Sequence, residues 1–164
     1  MLLKGTLKVT AITIERGWKL KTMVAKYSTG FGRYAFAVDS PTDMVNKVSA
    51  KADEVEDVVQ QLNVIGHGSA SGIQIGGHFV ELSNVKNYEV EFRRLRDVLS
   101  GESCVFLRGC VVGQNEKLLV ALAQMFGVPV YAGTSAENTL VDFNFGDIVK
   151  AYPGGTVYRG VPRP

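Results

Sequence analysis

The apolar positions along the chain alternate between the two-residue period of strands and the wider spacing of helices. Residues 2–14 alternate in part between apolar residues and Lys or Thr, which predicts an early strand with one solvated face. Residues 21–27 and 33–38 are β-prone and predict two further strands. Ser40 then offers an N-cap and Pro41 a first helical position, so a helix is predicted to follow.

Two short apolar strands in the middle of the chain each lead into a loop with a reactive residue. Residues 62–65 run into Gly66-His67-Gly68-Ser69, and residues 103–107 run into Arg108-Gly109-Cys110. The other elements predicted in this half are a hairpin over 72–82, an amphipathic helix over 88–99 stopped by Gly101, a helix over 118–126 ended by Gly127, and strands over 128–132 and 156–161.

Helices that alternate with short buried strands predict an α/β fold. Its mostly parallel sheet is expected to be flanked by helices in a three-layer sandwich, because parallel neighbours need a crossover connection. No internal repeat, low-complexity tract or linker divides the sequence, so a single domain over residues 1–164 is expected. In such sheets ligands bind at the carboxyl ends of the strands.

His67 and Cys110 are the candidate catalytic pair. With one helix between their strands and right-handed crossover the norm, the strands can be neighbours, which would bring both residues to one sheet edge. A thiol with a pKa of about 8.5 is mostly protonated at neutral pH, and a nearby imidazole can take its proton or stabilise the thiolate. Gly68 leaves its N–H accessible, so the N–H groups of Gly68 and Cys110 are predicted to form an oxyanion hole.

Composition and charge narrow the class of protein. Apolar residues make up 46% and charged residues 21%, which is typical of a compact globular domain and excludes a disordered one. The net charge of +2 is spread along the chain, so we expect no nucleic-acid or membrane partner. The start lacks the continuous apolar run of a signal peptide. We therefore expect a cytoplasmic protein, or one delivered by a secretion route without such a signal.

Other reactive side chains have simpler interpretations. Cys104 and Cys110 would lie roughly 20 Å apart at the two ends of one strand, too far for a disulfide. Cys104 is expected in the core and His78 at the surface or rim. The spacing of histidines and cysteines does not resemble a zinc site, and no metal or cofactor is predicted. Of the remaining candidates, the loop serines are more typical of turns and the late carboxylates of solvated loops: Ser69, Ser71, Asp142 and Asp147.

The two loop segments resemble the caspase-like clan of cysteine peptidases. This clan includes caspases, gingipains, separase, CHAT domains and the self-cleaving domains of large bacterial toxins. Residues 62–76, with His67-Gly68-Ser69, look like the His-Gly-Ser segment of a bacterial caspase-like family found at the ends of large adhesin-type proteins. Residues 105–113, with Gly109-Cys110, followed by a helix and a strand, are similar to the companion segment. The resemblance covers roughly residues 33–134.

This resemblance implies peptide-bond cleavage through an acyl-enzyme, with His67 as acid and base and Cys110 as nucleophile. The implied partner is a protein or peptide substrate, in a toxin or effector setting. Specificity, activation, self-cleavage and oligomeric state stay open. Two alternatives also remain: a catalytically silent caspase-like module that binds a partner with its loops, and a small-molecule hydrolase or transferase that uses the same dyad.

Overall fold

The fold is that of a computed structural model, which describes residues 7–13, 20–30, 32–139 and 143–164. Within these ranges the regular elements, in chain order, are β1 (Leu7–Thr13), α1 (Leu20–Tyr27), β2 (Arg33–Val38), α2 (Pro41–Val55), β3 (Val59–Ile65), β4 (Gly72–Ile75), β5 (His78–Glu81), α3 (Glu89–Arg94), β6 (Leu99–Arg108), α4 (Glu116–Phe126), β7 (Val130–Gly133), β8 (Glu137–Asn138), β9 (Phe143–Asn144), β10 (Ile148–Ala151) and β11 (Val157–Arg159). Short 3₁₀ turns cover Val85–Tyr88, Leu95–Asp97 and Val112–Gln114.

A seven-stranded, mostly parallel sheet forms the centre of the described residues, in the order β11-β10-β7-β6-β3-β1-β2. β2, β1, β3, β6 and β7 are parallel, whereas β10 and β11 are antiparallel additions at one edge. The α/β class and the flanking helices are those the alternating sequence pattern predicts. All five parallel strands have their carboxyl ends at the same edge, where ligands bind in folds of this kind.

One face of the sheet carries the main hydrophobic core. In-register neighbours in parallel strands share a face, so Val9, Leu62, Val105 and Val130 point to the same side. All four are fully buried, and α2, α3 and α4 cover them. The core is continuous across the sheet because each covering helix presents an apolar stripe to it.

The opposite face is polar for much of its width. Thr10, Gln61 and Asn63 lie there and are buried, and they bond to one another: Gln61 Nε2 donates to Asn63 Oδ1 at 3.0 Å, and Asn63 Nδ2 donates to Thr10 Oγ1 at 3.3 Å. Near the carboxyl edge, Met23 of α1 packs on Ile12. α1 thus supplies the helix layer on this side, over β1 and β2.

The predicted strand over residues 21–27 is wrong, because these residues form helix α1. Met23, Val24 and Tyr27 lie on one side of that helix and pack against Ile12 and Ile65. β-prone side chains suggested a strand, but the chain must cross from β1 to its parallel neighbour β2, and a helix makes that connection. Tertiary packing therefore overrides local propensity here.

The predicted helix over 88–99 is correct only in its first part. α3 ends at Arg94, and Leu99 already belongs to the ten-residue strand β6. Gly101 is therefore not a helix stop but a strand residue. Val59 of β3 pairs with Leu99, so β6 begins at Leu99. Leu99 therefore belongs to a strand, although its spacing from Leu95 is that of a helix.

Several local predictions are confirmed. Ser40 caps α2, since its side chain accepts the Asp43 N–H at 3.0 Å, and Pro41 occupies the first turn. Gly127 ends α4 with a φ of +74°, and the β4–β5 hairpin lies within residues 72–82. The predicted early strand is described over Leu7–Thr13, and its residues 2–6 and 14 lie outside the described ranges. Among the described helices, none has the length and apolar character needed to cross a membrane.

Candidate active site

The loops that carry His67 and Cys110 follow two adjacent strands. β3 and β6 pair in parallel, with Val64 opposite Leu107 and Ile65 opposite Arg108, so the prediction that these strands are neighbours is confirmed. Both strands end at the carboxyl edge of the sheet. His67 and Cys110 therefore follow immediately after neighbouring strand ends, within loops that touch.

Glycines allow the two loops to pack backbone against backbone. A Cβ placed on Gly68 would lie 2.5 Å from the carbonyl oxygen of Cys110 and 2.8 Å from its nitrogen. A Cβ on Gly109 would lie 3.1 Å from Gly68 Cα and 3.0 Å from the carbonyl oxygen of Gly66. A side chain at Gly68 would force the loops apart, so the glycine is required by this close approach.

The β4–β5 hairpin holds the His67 loop in place. Gln74 N–H donates to the carbonyl oxygen of His67 at 2.8 Å, and Ser69 N–H donates to that of Gly72 at 2.9 Å. Thr13 at the end of β1 anchors the hairpin, since its hydroxyl donates to the Gln74 carbonyl at 3.0 Å. His67 itself is exposed, so its side chain is accessible from solvent at the mouth of the site.

The predicted oxyanion donors lie together. Gly68 and Ile73 face each other in an antiparallel bridge whose hydrogen bonds are made by the flanking residues. In such a non-hydrogen-bonded pair the N–H of Gly68 points away from β4. Its backbone lies against that of Cys110, the other predicted donor. The backbones of the two predicted donors are therefore in contact at this edge of the sheet.

Cys110 lies in a tightly constrained turn. Val111 has a φ of +54°, a left-handed conformation that is unfavourable for a β-branched residue, and its N–H donates to the Ser135 carbonyl at 2.9 Å. The N–H of Glu137 donates to Cys110 Sγ at 3.5 Å. Backbone strain of this kind clusters at functional sites, where the surrounding structure fixes it.

A buried ionic cluster beside Cys110 was missed by the sequence analysis. The side chain of Glu137 is only 2% exposed and accepts hydrogen bonds from Arg108, Arg163 and Asn144. Arg108 is 4% exposed and stands two residues before Cys110. No period or motif in the sequence points to Glu137, because its partners are distant in the chain.

The remaining reactive residues lie apart from this cluster. Cys104 is half-buried on the polar face of the sheet, in register with Gln61, and not in the core as expected. Both cysteines are free. Burial raises the pKa of the Cys104 thiol, although Lys8 and Lys150 oppose the shift. His78 is exposed on the hairpin, with Nδ1 3.3 Å from the Tyr88 hydroxyl.

The other loop candidates also have local roles. Ser69 and Ser71 bond to each other at 2.8 Å within their turn. Asp147 is exposed, and its backbone N–H donates to the Thr134 hydroxyl at 2.9 Å. Asp142 lies outside the described residues. In the part of the chain that the structure describes, no three His, Cys, Asp or Glu side chains group as metal ligands would.

The fold and this edge define an α/β protein with a mostly parallel sheet and a candidate cysteine–histidine site after two adjacent strands. The chain belongs to the family described as domain of unknown function DUF4347, whose model matches residues 18–139. A search of curated proteins finds no match. The matched region includes both His67 and Cys110, and the family description assigns no activity to them.

Proposed function

We propose that this protein is a cysteine peptidase of the caspase-like kind, with Cys110 as nucleophile and His67 as its acid and base. The observation that carries the proposal is the backbone contact between Gly68 and Cys110 at two adjacent strand ends. It supports the proposal because nucleophile, base and oxyanion donors must lie around one reacting carbonyl group.

The chemistry would proceed in two stages. The Cys110 thiolate attacks the carbonyl carbon of a peptide bond, and the oxygen that becomes negative receives hydrogen bonds from the N–H groups of Gly68 and Cys110. His67, which holds the proton taken from the thiol, gives it to the leaving amine as the carbon–nitrogen bond breaks. Water, deprotonated by His67, then attacks the thioester carbon. The carbon–sulfur bond breaks, the acid is released, and the Cys110 sulfur takes the proton back from His67.

The first test is the alkylation rate of each cysteine. Brief iodoacetamide labelling near neutral pH, read by mass spectrometry, compares the native protein with His67→Ala. A thiol at its ordinary pKa is only a few per cent thiolate at pH 7, so activation by His67 should speed Cys110 labelling by about tenfold or more. Cys104 provides an internal reference, because burial raises its pKa and slows its reaction.

The controls separate activation from simple exposure. Cys104→Ser should leave the labelling rate of Cys110 unchanged, whereas His67→Ala should remove the advantage of Cys110 over Cys104. A peptide-library cleavage screen with the native protein and Cys110→Ala follows. Equal labelling of Cys110 with and without His67 would contradict the dyad and favour the catalytically silent binding module.

A further inference from the structure

Glu137 connects the candidate nucleophile to the C-terminal segment of the chain. Its N–H contacts Cys110 Sγ at 3.5 Å, while its carboxylate, 2% exposed, lies among two guanidinium groups and one amide. Arg108 and Arg163 both bond to Oε1, and Asn144 Nδ2 donates to Oε2 at 3.1 Å. One buried carboxylate beside the nucleophile therefore binds two arginines, one more than its charge requires.

Arg108 is the fixed partner of Glu137. It belongs to β6, is 4% exposed, and its guanidinium lies 5.0 Å from the ring centroid of Tyr27 and 5.6 Å from that of Phe106. Both Nε and a terminal nitrogen lie 3.2 Å from Glu137 Oε1. Because strand and rings hold it, Arg108 acts as part of the wall of the site.

Arg163 is the more exposed partner of Glu137. It follows β11 in a segment, residues 160–164, in which Val161 N–H donates to the Ile148 carbonyl at 3.2 Å. Arg163 and Pro164 of this segment line a cavity on the polar face of the sheet. Its side chain is 24% exposed, and its guanidinium lies 4.7 Å from the Phe106 ring centroid. An arginine from outside could make the same contacts with the carboxylate and the ring.

The surroundings allow another arginine to replace Arg163. A cavity of about 200 Å³ beside it is also lined by Lys8, Arg33 and Arg108. These three cations repel any guanidinium group that binds Glu137 in addition to Arg108. Replacing Arg163 by an arginine of another peptide keeps the number of ion pairs unchanged, so the exchange costs little electrostatically.

We infer that residues 160–164 act as an intramolecular pseudosubstrate: Arg163 occupies a subsite, formed by Glu137 and the Phe106 ring, that binds the arginine side chain of a peptide substrate. This inference rests on the proposed function, and it adds both the substrate class and the means of control. Because the backbone N–H of Glu137 contacts Cys110 Sγ, the inferred arginine is that of the residue whose carbonyl group Cys110 attacks. The segment must leave before such a peptide binds.

The test is binding of agmatine, a small guanidinium compound, measured by calorimetry on the full chain. Arg163→Ala should bind agmatine at least about tenfold more tightly than the native protein, because no internal guanidinium competes for Glu137. Arg159→Ala is the matched control: Arg159 is an exposed arginine of the same C-terminal region that pairs with Glu116 on the surface. It should bind agmatine as the native protein does.

Further ligands and variants define the outcome that would overturn the inference. Glu137→Gln combined with Arg163→Ala should lose agmatine binding, and a thermal melt checks that this variant is folded. Succinate tests the opposite charge, since an anion site built from Lys8 and Arg33 would bind it instead. Equal agmatine affinity in native protein and Arg163→Ala, or binding of succinate alone, would refute the subsite.

Failure of the inference and failure of the proposed function are distinguishable. Agmatine binding does not depend on the reactivity of Cys110, whereas iodoacetamide labelling does not require the Glu137 carboxylate to bind a guanidinium group. An activated Cys110 without agmatine binding would refute the pseudosubstrate and leave the peptidase standing. With both present, a peptidyl arginyl chloromethyl ketone should alkylate Cys110 of Arg163→Ala, with loss of chloride, faster than the alanyl reagent does.

Discussion

Replacing Gly68 by alanine tests whether the His67 and Cys110 loops depend on each other. The new Cβ would lie 2.5 Å from the Cys110 carbonyl oxygen, about 0.9 Å inside the 3.4 Å at which ordinary contact begins. Crowding of this size costs about 1–3 kcal/mol of the free energy of unfolding. A misplacement of about 1 Å at a reacting group can reduce a rate about a hundredfold, so under the proposed function the rate of peptide cleavage should fall by about that factor.

Three measurements check this expectation. Thermal unfolding should show a loss of about 2–4 °C in Tm for each kcal/mol. Peptide cleavage and the labelling ratio of Cys110 to Cys104 should both decrease. Gly101→Ala is the matched control, because a Cβ there meets nothing within 4 Å. If Gly68→Ala keeps the cleavage rate and Tm of Gly101→Ala, the two loops do not constrain one another.

Three further predictions concern the scaffold. Burial alone would raise the pKa of Asp43, but hydrogen bonds from Lys47 and a backbone N–H lower the pKa below its ordinary value. The ionised carboxylate therefore stabilises the fold above the ordinary carboxyl pKa, and this stability is lost as the pH falls through the lowered pKa. Asp43→Asn should therefore flatten the fall of the urea midpoint between about pH 5 and pH 2. Ser40→Ala removes the N-cap of α2 and should cost about 1 kcal/mol in urea unfolding. Phe92→Ala opens the core and should cost about 3–5 kcal/mol, while Val90→Ala, at an exposed position, should change stability by less than about 0.5 kcal/mol.

Each scaffold prediction has a contrary result. An unchanged acid slope in Asp43→Asn would mean that the carboxylate gains nothing on folding. Equal unfolding midpoints for Ser40→Ala and the native protein would mean that solvent replaces the cap. Similar values for the variants at Phe92 and Val90 would contradict the packing of α3 on the core.

Local signals in the sequence were sufficient where neighbouring residues decide the conformation. The Ser40-Pro41 start of α2 and the Gly127 end of α4 follow from capping chemistry within one helical turn. The apolar runs before Gly66 and Gly109 predict two strands that are each followed by a loop. Because one helix separates these strands in the chain, they are predicted to be neighbours, and they are.

Local signals failed where a distant strand decided the conformation. Residues 21–27 are β-prone, yet the crossover between β1 and β2 makes them a helix. Leu99 fits the apolar stripe of a helix, yet pairing with Val59 makes it the first residue of β6. In both cases hydrogen bonds and burial supplied by another part of the chain outweigh a difference in propensity of about 1 kcal/mol or less per residue.

The sequence by itself determined the class of fold, the two reactive strand ends and the glycines that follow those strands, because periodicity and turn chemistry are properties of adjacent residues. Only the tertiary structure decided how the site is surrounded. Glu137 meets Arg108 from 29 positions away and Arg163 from 26, and neither separation has a period or a motif. The contacts of this buried carboxylate depend on how distant segments pack on the sheet, and no single segment of the sequence specifies that packing.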